Sequence, residues 1–416
     1  MEETELKSEG KYQNRKKPLI ILVIVVVVAI VVVAAQKIKR GHSDQGSNSD
    51  TGNQLALSSD PAIAAGQDLS GNRCEGTEKP LLTNLPMNES DFAFILPYGM
   101  TIGAHVTPID HQYFSPTVFN SPRDTYPVFA MADATIVNIE PRKTDRGTEY
   151  RMVFSISCKL FYYYDLVTSL DPSLMTLWQE AQNKSRPFLH SVKAGEEIGR
   201  IGGQTLDFAV WDMDKNLSGF VEPEHYISES WKIHTVDPLD YYTDDLKTKV
   251  LSKYLRTTEP RSGKIDYDID GKLVGTWFLQ GTNGYKGVNQ SNYWVGHLSV
   301  AYDYLDPASI VISTGDYGGE AMQFGVSGNT PDPASVDVTS GMIKYELVQQ
   351  DWADSSGQKW DRSKLTPGIR AKNPTGVLGV ALFQLQSDGT LKAEFFPSKT
   401  GAQVSSFDNN AEIFER

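Results

Sequence analysis

Apolar and polar positions alternate with a period of two along most of the chain beyond residue 90, the pattern of half-buried β-strands. Phe92, Phe94 and Leu96 alternate. Tyr126–Glu140 does so around a turn near Asp133-Ala134, and Tyr150–Tyr164 is rich in β-branched and aromatic residues. Val192–Asp212 reads as a hairpin and a turn feeding a last strand, with Leu206, Phe208 and Val210 on one face. Further on, Ile265, Tyr267 and Ile269 alternate, Asp270-Gly271 offers a hairpin turn, and a strand follows through Phe278. The runs Leu298–Tyr304 and Met322–Val326 behave alike, and Leu378–Gln386 and Leu391–Phe396 flank the turn Ser387-Asp388-Gly389-Thr390. Helical spacing is confined to Pro172–Asn183, opened by Asp171 as N-cap, and to Asp244–Leu255. The chain therefore reads as mainly β, with a β domain over 91–243, a helical linker over 244–261 and an all-β barrel or sandwich over 262–416.

The pattern breaks at the N-terminus. Pro18–Ala35 holds 18 residues without a charge. At about 1.5 Å per residue that length spans a hydrocarbon core of roughly 30 Å. It has no polar face and is long for a signal peptide, so we read an uncleaved single-span anchor, with Ala34-Ala35-Gln36 as the alternative cleavage site. Lys7, Lys11, Arg15, Lys16 and Lys17 precede it, against Lys37, Lys39 and Arg40 after it, which favours a cytoplasmic tail over 1–17 and an extracytoplasmic bulk. Residues 36–90 open with Ser, Gly, Asn and Asp and read as a flexible stalk.

The net charge is −13, and without the eight basic and four acidic residues of the first forty it becomes −17. Such a balance argues against nucleic acid as partner. The two cysteines, Cys74 and Cys158, either pair in an oxidising compartment or remain free thiols. Asn88, Asn183, Asn216 and Asn289 begin Asn-x-Ser triplets, which permit glycosylation without showing it.

Four stretches within Pro97–Asp214 resemble the lysostaphin/LytM-type zinc endopeptidases of cell walls. Where that family has His-x-Gly-x-Asp, this chain has Val106-Thr107-Pro108-Ile109-Asp110. Tyr126–Val137 matches the family's next strand. Tyr162-Tyr163-Tyr164-Asp165-Leu166 stands where a catalytic histidine follows a tyrosine-rich strand, and Asp165 takes its place. Thr205-Leu206-Asp207-Phe208-Ala209 stands at His-Leu-His-Phe-Glu. The resemblance implies the family's β scaffold and a groove near Asp110, Tyr164, Asp165, Thr205 and Asp207. It does not carry the chemistry over. Such enzymes hold zinc with two histidines and an aspartate and leave a position open for water. Of the five catalytic and ligand positions only Asp110 survives.

His105 and His111 flank the first motif, so a register slip would bring one of them to the metal position, still without a His-x-His pair. Asp110, Asp165 and Asp207 could instead converge on calcium. No cofactor is expected; zinc is not, and calcium is the alternative. His190, His225, His234 and His297 show no metal spacing, and the aromatic run Phe161–Tyr164 reads as a strand alternating in and out rather than a sugar-stacking platform. Gly275-Thr276-Trp277 resembles the Gly-x-Trp of the first lipocalin strand, which would suit a barrel holding a small apolar ligand.

The expected function is a membrane-anchored, extracytoplasmic binding or adaptor module with an inactive peptidase-like domain, whose partner is an envelope polymer or another envelope protein. The alternatives are a zinc peptidase with atypical ligands and a displayed lipocalin-like carrier. On the first reading Asp110 is a surface relic, and Asp110→Ala should leave folding nearly unchanged.

Overall fold

A computed structural model describes residues 58–416. The apolar run 18–35, with the anchor and tail assigned to it, lies outside the described residues; among those, no helix is long and apolar enough to cross a membrane. The last part of the expected stalk is not featureless. Pro61–Ser70 forms helix α1, capped by the Asp60 side chain with proline in the first turn.

The first unit holds β1 (Phe92–Leu96), β2 (Gln112–Pro116), β3 (Tyr126–Phe129), β4 (Ala134–Thr144), β5 (Gly147–Ser155), β6 (Leu160–Val167), β7 (Ser169–Leu170), helix α2 (Pro172–Asn183), β8 (His190–Val192), β9 (Glu197–Ile201), β10 (Leu206–Asp212) and β11 (Thr235–Val236). An eight-stranded sheet runs β1-β2-β10-β6-β5-β4-β8, with β11 added to β10. A smaller sheet, β3-β9-β7, covers one face of it. Between them lies a core of Val128, Phe154, Tyr162, Tyr164, Ile198, Ile201, Leu206, Phe208 and Val210. Full burial of one such large apolar side chain stabilises by about 1.5–3 kcal/mol.

The expected hairpin in Val192–Asp212 does not form. β8 pairs with β4, β9 with β3 and β7, and β10 lies between β2 and β6. The alternation there correctly marks faces but cannot say which neighbour supplies the ladder.

Helix α1 packs on the opposite face of the large sheet. Cys74, just beyond it, is disulfide-bonded to Cys158. A Cβ on Gly66 would lie 1.8 Å from the Cys158 carbonyl oxygen, so only glycine lets the helix approach this closely.

Helix α3 (Asp244–Leu251) leads to the second unit: β12 (Gly275–Leu279), β13 (His297–Tyr302), β14 (Ile310–Thr314), β15 (Met322–Val326), β16 (Ile343–Val348), β17 (Trp352–Ala353), β18 (Arg370–Ala371), β19 (Val377–Leu385), β20 (Leu391–Pro397) and β21 (Glu412–Glu415). Eight of these close an antiparallel barrel, β12-β13-β14-β15-β16-β19-β20-β21, which settles barrel against sandwich; β17 and β18 form a separate ribbon. Its interior is filled by Trp277, Leu298, Phe324, Tyr345, Phe383 and Phe414, all buried. The Arg416 guanidinium lies 4.2 Å from the Trp277 ring centre and donates to the carbonyls of Ile269, Lys272 and Val274. Ile265–Ile269 is no strand. It runs unpaired between the units, with Ile265 and Tyr267 buried and Ile269 exposed, so its alternation reflects an interface rather than a ladder.

The two units share cores. One joins Tyr98, Trp211 and Phe220 to Ile265, Phe278 and Tyr285. The other joins Phe94, Met100 and Tyr113 to Tyr304, Trp352 and Trp360.

Candidate functional site

The large sheet has two faces, and residue parity assigns each side chain to one. Phe114, Met152, Phe154, Tyr162, Tyr164, Leu206, Phe208 and Val210 enter the core behind it. Tyr113 and Ser115 of β2, Glu140 and Arg142 of β4, Arg151 and Val153 of β5, Tyr163 and Asp165 of β6, and Asp207 and Trp211 of β10 face the other way. Above them the second unit contributes Tyr285, Tyr293, Tyr304 and the loop Lys359–Ser363. Together they enclose a cavity of about 680 Å³.

Six of the seven residues read as site candidates in the sequence line this cavity: His105, Asp110, His111, Asp165, Thr205 and Asp207. Tyr164 does not. Its hydroxyl donates to the Phe129 carbonyl at 2.8 Å on the core side, because Asp165 faces the cavity and its immediate neighbour must face away. Tyr163 takes the place expected of Tyr164.

Each of these carboxylates already has partners. Asp110 accepts from Trp231 Nε1 at 3.1 Å, lies 3.1 Å from Lys232 Nζ, and sits 3.2 Å from His111 Nδ1. It is 6% exposed and Lys232 4%, so Asp110 is a buried ion-pair partner rather than a surface relic. Burial opposes its ionisation, but the Lys232 ammonium and His111 hold its pKa well below the usual carboxylate range. Lys232 also reaches Glu229 Oε2 at 3.4 Å and lies over the Tyr285 ring.

Asp165 is clamped by Arg142 and by Arg151 Nε at 2.9 Å. Burial opposes its charge too, and the two guanidinium groups overcome that and lower its pKa. Asp165 also accepts from the Leu166 N–H at 2.6 Å, and Leu166 sits at φ 65°, a left-handed conformation costly for leucine.

Asp207 differs. His111 Nε2 lies 3.3 Å from its Oδ2 and Thr205 Oγ1 donates to Oδ1 at 3.4 Å. Burial pushes its pKa up to about 7, against the lowering effect of His111. His111 Nε2 also lies 3.1 Å from the Tyr113 hydroxyl. Burial, with His111 and Lys232 nearby, pushes His105 down to about 3, so it is neutral at ordinary pH.

This donor set does not fit zinc or calcium. Asp110 and Asp165 are charge-paired with cations of the chain, Val106 is buried without a ligand atom, and no group of three His, Cys, Asp or Glu side chains among the described residues is arranged to hold a metal ion. His111 links Asp110, Asp207 and the Tyr113 hydroxyl in one buried polar cluster.

Arg142, Arg151, Trp211, Trp231, Lys232 and the barrel's contributions are absent from the sequence reading. Parity from Asp165 and Asp207 was enough to find Tyr163 and Trp211. Lys232 sits in the irregular turn-like run Pro223–His234, where no periodicity points to it.

No protein family matches the chain, and no curated protein matches it by sequence. Among solved structures, Csd3 of Helicobacter pylori, in its orthorhombic crystal, is similar at a TM-score of 0.24 and 15% identity, over 39% of this chain and 35% of that one. A likeness of that size carries no argument about function.

Proposed function

We propose that the protein is an extracytoplasmic, membrane-anchored binding module whose peptidase-like unit is catalytically inactive and whose cavity receives a component of the cell envelope. The observation that supports this most is the Lys232–Asp110 pair. An ammonium on the one surviving ligand position of the resemblance supplies the positive charge that a metal would, without an open site for water. Asp165 between two arginines repeats that arrangement on the other flank. An enclosed space of about 680 Å³ lies within the range of roughly 300–1,000 Å³ typical of small-ligand sites. The barrel then acts as the second wall of the site, its own interior being filled by side chains.

The test combines thermal melting of the full-length chain in solubilised wall fractions with a peptide-hydrolysis assay in added zinc. A melting temperature raised by a wall fraction, a smaller rise in Thr205→Trp (which fills the cavity beside Asp207) and no cleavage are expected. Zinc-stimulated cleavage abolished by Asp110→Ala overturns the inactive assignment. The absence of a shift with any fraction overturns the binding role.

A further inference from the structure

Part of the cavity's roof belongs to neither the large sheet nor the barrel. The loop Lys359–Ser363 lies between β17 and β18, the two strands of the separate ribbon. Its polar groups are turned inward. Among the described residues, every hydrogen bond and ion pair made by residues 354–368 ends within residues 351–372. Lys359 reaches Asp351 at 2.6 Å and Lys364 reaches Asp361 at 2.9 Å. None of these contacts crosses to the first unit, although Asp361 and Arg362 line the cavity between the two.

What holds the loop down is an apolar contact. Trp360 meets Phe94 edge-on, with ring centres 6.1 Å apart, and enters a core with Met100, Ile109 and Tyr304. Apolar attraction is non-directional, so it closes the loop onto the first unit without a hydrogen-bonded register to break. The ends of the loop are two glycines in the left-handed region, Gly357 at φ 80° and Gly368 at φ 76°. A Cβ on either would meet nothing within 4 Å, so the backbone conformation calls for glycine and the surrounding space does not. Glycine is also the residue that leaves that region for negative φ at little cost. Just outside the glycines the ribbon is pinned to the barrel. Trp352 Nε1 donates to Asp303 at 3.0 Å, and the Ala371 N–H donates to Asp306 at 3.0 Å. A segment bonded to itself, pinned at its base and bounded by two glycines has the build of a local opening unit.

We propose that residues 357–368 form a lid that swings on Gly357 and Gly368, lifting Trp360 off Phe94 and opening this end of the cavity. Its purpose, the admission of a ligand, rests on the binding role proposed above. Its motion does not, and is tested with no ligand present.

The test is thiol labelling of the full-length chain in urea concentrations below the unfolding transition. Cys74 and Cys158 are bonded to each other, so an introduced cysteine is the one free thiol. Met100→Cys places it in the cavity wall that shares a core with Trp360, Ala209→Cys in the packed centre of the large sheet, and Val118→Cys on the surface. The Met100→Cys thiol is expected to react at least a hundredfold more slowly than that of Val118→Cys, at a rate that hardly changes with urea. The Ala209→Cys thiol is expected to react only as urea approaches the transition. Gly357→Ala and Gly368→Ala strain the closed lid, and each should speed the Met100→Cys reaction at least threefold while leaving that of Ala209→Cys unchanged. Hydrogen exchange on the parent needs no variant: the Trp360 N–H, bonded to the Trp352 carbonyl at 3.0 Å, should exchange with the same shallow urea dependence, well before the amides of β1. A Met100→Cys thiol or a Trp360 amide that follows the urea dependence of Ala209→Cys opens only by unfolding and overturns the lid. Reaction of Met100→Cys as fast as Val118→Cys shows that nothing covers it and does the same. Rates unmoved by both glycine variants overturn the hinges and the proposal with them. Each of these outcomes leaves the binding role standing, which the melting test in wall fractions decides separately.

Discussion

Replacing Lys232 by methionine keeps most of the side-chain volume and removes the ammonium that faces Asp110 at 3.1 Å. Both groups are buried, so water cannot take over the role of the lost cation. Breaking a buried pair on one side costs roughly 3–5 kcal/mol, since the remaining charge stays uncompensated. Asp110 keeps two contacts, Trp231 Nε1 at 3.1 Å and His111 Nδ1 at 3.2 Å, which places the expected loss near the lower end, at about 3 kcal/mol. Glu229 also loses its contact with Lys232, at 3.4 Å, but it is more open to solvent and adds little. Urea unfolding followed by tryptophan emission measures the effect, with Trp231 itself reporting from the pair. Adding Asp110→Asn to Lys232→Met should recover part of the loss, because the pair is then removed as a whole. A Lys232→Met protein within about 0.5 kcal/mol of the parent, the range of an ordinary surface change, would refute the view that Asp110 depends on this lysine.

The remaining expectations concern other parts of the molecule. Burial raises Asp207 to about 7, so the folded state keeps a proton that the unfolded chain, near the ordinary Asp value of about 3.9, has released. The resulting penalty is absent below about pH 4, grows with rising pH and is complete above about 7; Asp207→Asn should therefore stabilise by at least about 1 kcal/mol at pH 7.5 and by progressively less toward pH 4 in urea melts. Serine at both Cys74 and Cys158 opens a link between residues 84 apart in sequence, and should cost about 2–4 kcal/mol and speed proteolysis within α1; unchanged proteolysis would mean that packing around Gly66 alone holds the helix. Arg416→Ala removes the cation from the Trp277 ring and three hydrogen bonds to carbonyls, and should lower barrel stability by about 2–3 kcal/mol, read by hydrogen exchange in β12 and β21.

Much of the architecture is legible in the chain because strand geometry is local. Successive side chains point to opposite faces whatever the neighbours, so Leu206, Phe208 and Val210 announce a core face and Asp207 an opposite one before any partner is known. The same rule, applied from Asp165, puts Tyr163 and not Tyr164 in the cavity. Helix α2 is equally plain, since Asp171 and Pro172 satisfy and start it within one turn. Other features depend on which distant segments meet. That β8 and β9 join different sheets, that Ile265–Ile269 lies unpaired between the units, and that a barrel loop at Trp360 roofs the cavity all follow from complementarity between surfaces, which no local period records. The chemistry of the site belongs with these. Asp110, Asp165 and Asp207 are the same residue type within one hundred positions, yet burial beside Lys232, between two arginines, or beside His111 leaves the first two more acidic than an ordinary carboxyl group and the third half-protonated near neutral pH. A carboxylate's charge is set by the groups that surround it in space, and those groups are assembled only when the chain has folded.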